Sequence, residues 1–231
     1  MRGGTAARAT VAATVALVGL LAVALVCTTS GCADAGPQGA GAGAKAGGGS
    51  AVVKPVSEHE SATARQVARA AMAQVGVTVG YDASYVPLSY PGGDVPVTTG
   101  ACSDVVVRAF RAVGVDLQVK LHEDMAKDFS AYPQTWGLKQ PNSSIDQRRV
   151  PNLATYFTRQ GKAAAVTANG GDYWPGDVVT WNDGGHPHCG VISTTLASDG
   201  TRFLVTHNRG AGAQTADVLF AYPITGHYRF F

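Results

Sequence analysis

Residues 98–110 read Thr-Thr-Gly-Ala-Cys-Ser-Asp-Val-Val-Val-Arg-Ala-Phe, TTGACSDVVVRAF, and whether this stretch is helix or strand decides the fold. Three consecutive valines suit a β-strand. Yet Val106, Phe110 and Val113 recur at i, i+4 and i+7, Ala109 fills the same face, and Arg108 and Arg111 fall away from it. That is the helical period, and Gly100 and Gly114 punctuate a segment of about three turns. A helix here places Cys102 in the first turn, where the helix dipole favours an anion. The thiolate, not the thiol, is the attacking species, so Cys102 is a candidate nucleophile. A core residue, half of a disulfide or a metal ligand are the other readings this stretch leaves open.

Upstream, SEHESATARQVARAAMAQVGV (57–77) reads as a helix, with a Ser57–Glu60 capping box and Val67, Ala71 and Val75 on one face. Gly76 ends it. Residues 78–99 carry Gly, Pro, Tyr and Asp without a helical period, and YPGGD (90–94) is a turn. Downstream, a short helix is expected from His122 and another from Pro151 to about Gln160, with Trp136, Asp146, Arg148 and Arg149 on the loops between. After Gly170 the segments GDVVTW, HCGVIST, RFLVTHN and DVLFAYPI read as short strands separated by turns. Helices followed by strands indicate an α+β domain with a largely antiparallel sheet.

The 231 residues also include a start of a different character. Arg2 and Arg8 precede an uncharged apolar run over residues 9–26, and the small, polar CTTSGC (27–32) follows, the layout of an export signal. TTSGC resembles a bacterial lipobox ending at Cys32, with Thr29 where that pattern prefers Leu, Val or Ile. Residues 1–31 are therefore expected to be a signal peptide and Cys32 a lipid attachment site, giving an exported, surface-anchored or secreted protein. The Gly/Ala-rich stretch 32–56 lacks the large apolar side chains of a core and reads as a flexible tether to a domain over residues 57–231. Removing Arg2 and Arg8 from the 18 basic residues leaves 16 against 16 acidic ones. With no basic stripe, nucleic acid is not an expected partner.

Within the domain, His188 in HPHCGVIS and His207 with Asn208 in VTHNRG supply what a thiol nucleophile needs. A nearby histidine accepts the thiol proton and later returns it to a leaving amine, while a third polar group fixes that histidine's tautomer. A hairpin joining their strands would set His188 beside His207. Strand alternation turns Cys189 to the face opposite His188, as a small core residue, and argues against a Cys102–Cys189 disulfide. The H-x-H-C spacing matches no common zinc site, so neither metal nor organic cofactor is expected.

These segments also resemble known proteins. WPGDVVTW followed by HCGVIS is similar to the core strands of NlpC-type cell-wall peptidases, papain-like cysteine hydrolases. YPGGDVP, GACSDVVVRAFR, GVDLQ, HEDM, YPQTWGL, IDQRRVPNL and ITGHYR, in that order, resemble the domain-of-unknown-function 1287 family of that clan. The resemblance implies a papain-like α+β fold, the nucleophile helix packed on a C-terminal antiparallel sheet. It implies Cys102 as nucleophile, His188 as base and His207 as third residue, with Asn208 the alternative. The expected reaction is cleavage of an amide or peptide bond, in peptidoglycan stem peptides, through an acyl-enzyme. Asp94, Arg148 and Arg149 are candidate substrate contacts. An acyltransferase with the same thiol chemistry and a non-catalytic wall-binding module are the alternatives. Two positions depart from that family's usual pattern: Cys189 stands where an aliphatic residue is common, and Gln147 where His is common.

Overall fold

The computed structural model describes residues 61–231; the expected signal, Cys32, the tether and the Ser57–Glu60 capping box lie outside the described residues. The first helix, α1 (Ala62–Met72), is capped by Ser61, whose hydroxyl oxygen accepts the Ala64 N–H at 3.0 Å. Val67 and Ala71 are buried as the periodicity predicts, whereas Val75 lies past the helix end and is exposed.

The ambiguous valine stretch is helical. Helix α2 (Cys102–Arg111) buries all three valines, so packing on both sides overrides their β preference. Asp104 caps its start by accepting the Ala101 N–H at 2.6 Å, and Gly114, at φ +82°, turns the chain after its end. Helix α3 (Leu117–Lys127) begins before His122, because Asp116 caps it by accepting the Gln118 N–H at 3.0 Å. Helix α4 (Val150–Arg159) carries Pro151 in its first turn, where a missing N–H costs nothing.

The remaining chain forms one six-stranded sheet: β1 (Ala163–Ala164), β2 (Val178–Asp183), β3 (His186–Leu196), β4 (Phe203–Asn208), β5 (Ala213–Ala216) and β6 (Ile224–Tyr228). The order is β1-β6-β2-β3-β4-β5 and every pairing is antiparallel. The expected α+β architecture is therefore present. One predicted strand is absent: DVLFAYPI (217–224) is mostly a turn joining β5 to β6. Its apolar residues are used as a plug, with Leu219 fully buried and its carbonyl accepting the Trp181 indole N–H at 2.9 Å.

Two apolar clusters sandwich the sheet. Val178, Cys189 and Val191 face the helices and join Cys102, Val105, Val106, Phe110, Leu153 and Phe157. Val179, Trp181, Ile192 and Val205 face the other way, under Tyr173, Phe203 and Leu219. Alternation along β2 and β3 thus assigns each strand residue to one layer. His227 in ITGHYR pins β6 to the entry of β2, bridging Asp177 Oδ2 at 2.7 Å and the Ala165 carbonyl at 2.9 Å.

Candidate active site

Cys102 occupies the first position of α2, and α2 packs its apolar face on β3. The N–H groups of a first helical turn have no partner within their own helix and point toward whatever stands at its start. Cys102 is buried, yet its thiol is held well below the ordinary cysteine value. The causes that favour the anion are the Cys189 side chain, then the His188 ring and its charge, then the Cys189 backbone N–H; burial opposes them.

Alternation does set Cys189 and His188 on opposite faces of β3, as expected. Cys189 is the small buried core residue that the alternation predicts, yet it is also a neighbour of Cys102. Cys102 lies on the helix side of the sheet, which is the face Cys189 occupies, and the two share one buried cluster. Both thiols are free. Cys189 is pushed well above the ordinary thiol value by Cys102 and by burial, the opposite direction to Cys102.

His188 is stacked on Trp181, its partner across the β2–β3 ladder, with ring centroids 5.6 Å apart. Its Nε2 lies 2.8 Å from Nδ1 of His207 on β4. Gly190 permits this approach, because a Cβ there would stand 3.1 Å from the His207 Cβ and 2.8 Å from Val205 Cγ1. Burial, then the neighbouring His188 and Arg209, lower His207 to about 4. His207 is thus neutral near pH 7, and one proton lies between its Nδ1 and His188 Nε2. Nδ1 of His188 is the ring nitrogen that His207 does not engage.

Asn208, the alternative third residue, is fully buried and otherwise engaged. Its amide N–H groups donate to the carbonyls of Gly100 at 2.8 Å and Gly80 at 3.0 Å, clamping β4 to the chain entering α2. Of the two, His207 is the residue within hydrogen-bond distance of His188.

The three candidate substrate contacts are placed differently from one another. Arg148 is buried; its guanidinium bonds Asp104 at 3.0 Å, the Ser84 carbonyl at 2.6 Å and the Asp82 carbonyl at 2.9 Å. It therefore ties the start of α2 to the loop carrying Tyr81. Arg149 lies under Trp136, 4.2 Å from the ring centroid, and 3.9 Å from buried Asp146. Asp94 is taken up by Arg108 at 2.8 Å, toward the C-terminal half of α2, and lines neither cleft beside His188.

Sequence reasoning passed over Tyr81, Asp183 and Arg209, and considered His186 only as a metal ligand in H-x-H-C. With Pro187 and His188 they line an open cleft of about 350 Å³. Arg209 pairs with Asp183 and holds its carboxyl below the ordinary range. Burial, then the Cys102 charge, raise the Tyr81 phenol, which stays a proton donor. The available signal was positional: a tyrosine on the loop that leads to the cysteine helix, and charged residues at the ends of β2 and β4.

The family model described as "Domain of unknown function (DUF1287)" matches residues 68–230. The Escherichia coli (strain K12) protein described as "Uncharacterized protein YijF" is 53% identical over 182 residues, covering 78% of this chain and 88% of that protein. Among solved structures, NlpC1 and NlpC2 from Trichomonas vaginalis are similar at 13% identity, with TM-scores of 0.40 and 0.38, over 74% of this chain. The chain spans about half the length of those proteins, 45% and 50%.

Proposed function

This chain belongs to the DUF1287 family, and from that premise we propose that it is an exported cysteine hydrolase cleaving an amide or peptide bond of peptidoglycan. The observation that carries the reading is the 2.8 Å contact of His188 with His207, together with Cys102 at the start of α2, whose thiol His188 helps to lower. A thiol with a depressed pKa sits at a helix N-terminus, and the ring beside it has its far nitrogen occupied by a neutral acceptor.

In this reading the Cys102 sulfur attacks the substrate carbonyl carbon, and the C=O electron pair moves to oxygen. In this reading the Cys102 N–H, in the first turn of α2, and the Tyr81 hydroxyl donate to that oxyanion. Collapse breaks the C–N bond, and the leaving amine takes a proton from His188 Nδ1. Water then attacks the thioester and gives a proton to His188. A second collapse releases the carboxylic acid product and restores the thiolate. His207, neutral and fixed by its strand, keeps His188 oriented through both halves. Export is through residues 1–31, with lipid attachment at Cys32 placing the domain at the wall.

The test is mass spectrometry of purified peptidoglycan incubated with the wild-type protein and with Cys102→Ala. Hydrolysed stem peptides from the wild type alone are expected. An acceptor-linked product would instead make the protein an acyltransferase, and intact wall in both samples would leave only a binding module. Intact-mass analysis of the mature N-terminus checks Cys32, where an unmodified N-terminus elsewhere would exclude lipidation.

A further inference from the structure

Beside His188 lies a second cleft, of about 420 Å³, within the size range of ligand sites, about 300–1,000 Å³. Thr180, Trp181 and Asn182 of β2, Val150 and Thr155 of α4, and Pro187 of β3 are among the residues that line it. Thr180 is the strand partner of Cys189 and Trp181 that of His188, so the lining adjoins the reactive pair along the sheet. None of its lining residues is acidic, basic or histidine. The Tyr81–Arg209 cleft is the converse, with Asp183, His186, His188 and Arg209 among its six residues. Pro187 lines both.

A carbonyl held at Cys102 has substrate chain running away on either side of the bond to be cut. The two clefts that meet at Pro187 differ in charge. An ionised group in the uncharged cleft would lose water without gaining a partner, a cost of several kcal/mol by order of magnitude. We propose that this cleft is a specificity subsite for the uncharged arm of the substrate, one or two residues with small aliphatic side chains and no free carboxylate or amine. The charged arm lies in the Tyr81–Arg209 cleft. This assignment rests on Cys102 being the nucleophile and adds which kind of amide it is offered.

The test uses N-acetyl-Ala-Ala amide as a probe that protects Cys102 from iodoacetamide, followed by peptide mass spectrometry. Protection of the wild-type protein at millimolar probe is expected. Thr155→Trp and Asn182→Trp, which add bulk to the cleft from α4 and from β2, are expected to weaken protection about five-fold or more while the alkylation rate without probe stays at the wild-type value. Absence of protection in the wild type, or protection unchanged in both filled variants, would overturn the subsite alone. No alkylation of wild-type Cys102 would overturn the nucleophile assignment and the subsite with it.

Discussion

Nε2 of His188 and Nδ1 of His207 lie 2.8 Å apart, with the two rings nearly perpendicular at 79°. A histidine can only accept a thiol proton through a nitrogen that is not already donating. This contact leaves Nδ1 of His188 as the nitrogen available to a thiol in the proposed reaction, and it is His207, not Asn208, that touches the His188 ring. It also makes the site dependent on the β3–β4 pairing that brings the rings together.

The Cys102 thiolate draws on Cys189 more than on His188. Cys189→Ala removes that donor and is expected to raise the apparent pKa of Cys102, while Cys189→Ser restores part of the shift. The rate of iodoacetamide alkylation against pH reads this directly: the variant's profile moves to higher pH. Coincident profiles for the wild type and Cys189→Ala would reject the thiol–thiol coupling.

Stability should carry the imprint of His207, whose value falls from 6.5 to about 4 on folding. Between those values the unfolded chain binds a proton that the folded chain does not. The contribution is full above about pH 6.5 and is lost as pH falls through about 4, by up to about 3 kcal/mol. In urea unfolding, the wild type should lose stability relative to His207→Gln by about that amount between pH 7 and 4. A constant gap across this range would contradict it.

Arg148 and Asp104 form a buried ion pair, with side chains 2% and 5% exposed. Arg148→Ala strands the Asp104 carboxylate, an expected cost of about 3–5 kcal/mol. For a domain of this size that lowers the melting temperature by roughly 10 °C, as calorimetry would record. Arg148→Lys should not rescue it, because one ammonium group cannot serve Asp104 and the Asp82 and Ser84 carbonyls in the same planar arrangement. A change below 1 kcal/mol would show the pair to be dispensable.

At Gly190 an added methyl group would meet the Thr206 carbonyl oxygen at 2.9 Å besides Val205 and His207. Gly190→Ala is expected to push β4 from β3 and part the histidines. Overpacking costs about 1–3 kcal/mol, whereas misplacing the base by an ångström costs roughly 100-fold in rate. Wall hydrolysis should therefore fall while circular dichroism still reports a folded domain. Wild-type activity in a folded Gly190→Ala protein would show that the histidine contact is not needed.

Much of this was readable along the chain because it is local. The i, i+4, i+7 stripe around Val106 and Phe110 specifies α2 and puts Cys102 at its start, and the short β-rich segments between turns after Gly170 specify β2, β3 and β4. DVLFAYPI misled because a segment that buries Leu219 as a plug has the composition of a strand; what it lacks is a neighbour to pair with. The start of α3 was misplaced for the opposite reason, since a single capping carboxylate, Asp116, moved it ahead of His122.

What the sequence by itself determined is which chemical groups exist and which element carries each: a thiol at a helix start and two histidines on successive strands. What only the tertiary structure decided is which groups meet. Alternation assigns Cys189 to a face of β3, but only the docking of α2 on that same face sets it against Cys102. The same docking commits Arg148 to Asp104 and the Tyr81 loop, although Arg148 and Arg149 are adjacent and alike in sequence. Contacts between residues 44 to 128 positions apart, such as Arg148 with Asp104 and Asn208 with Gly80, leave no periodic trace in the chain. They depend on how helices and sheet settle to bury their apolar faces and satisfy their buried polar groups.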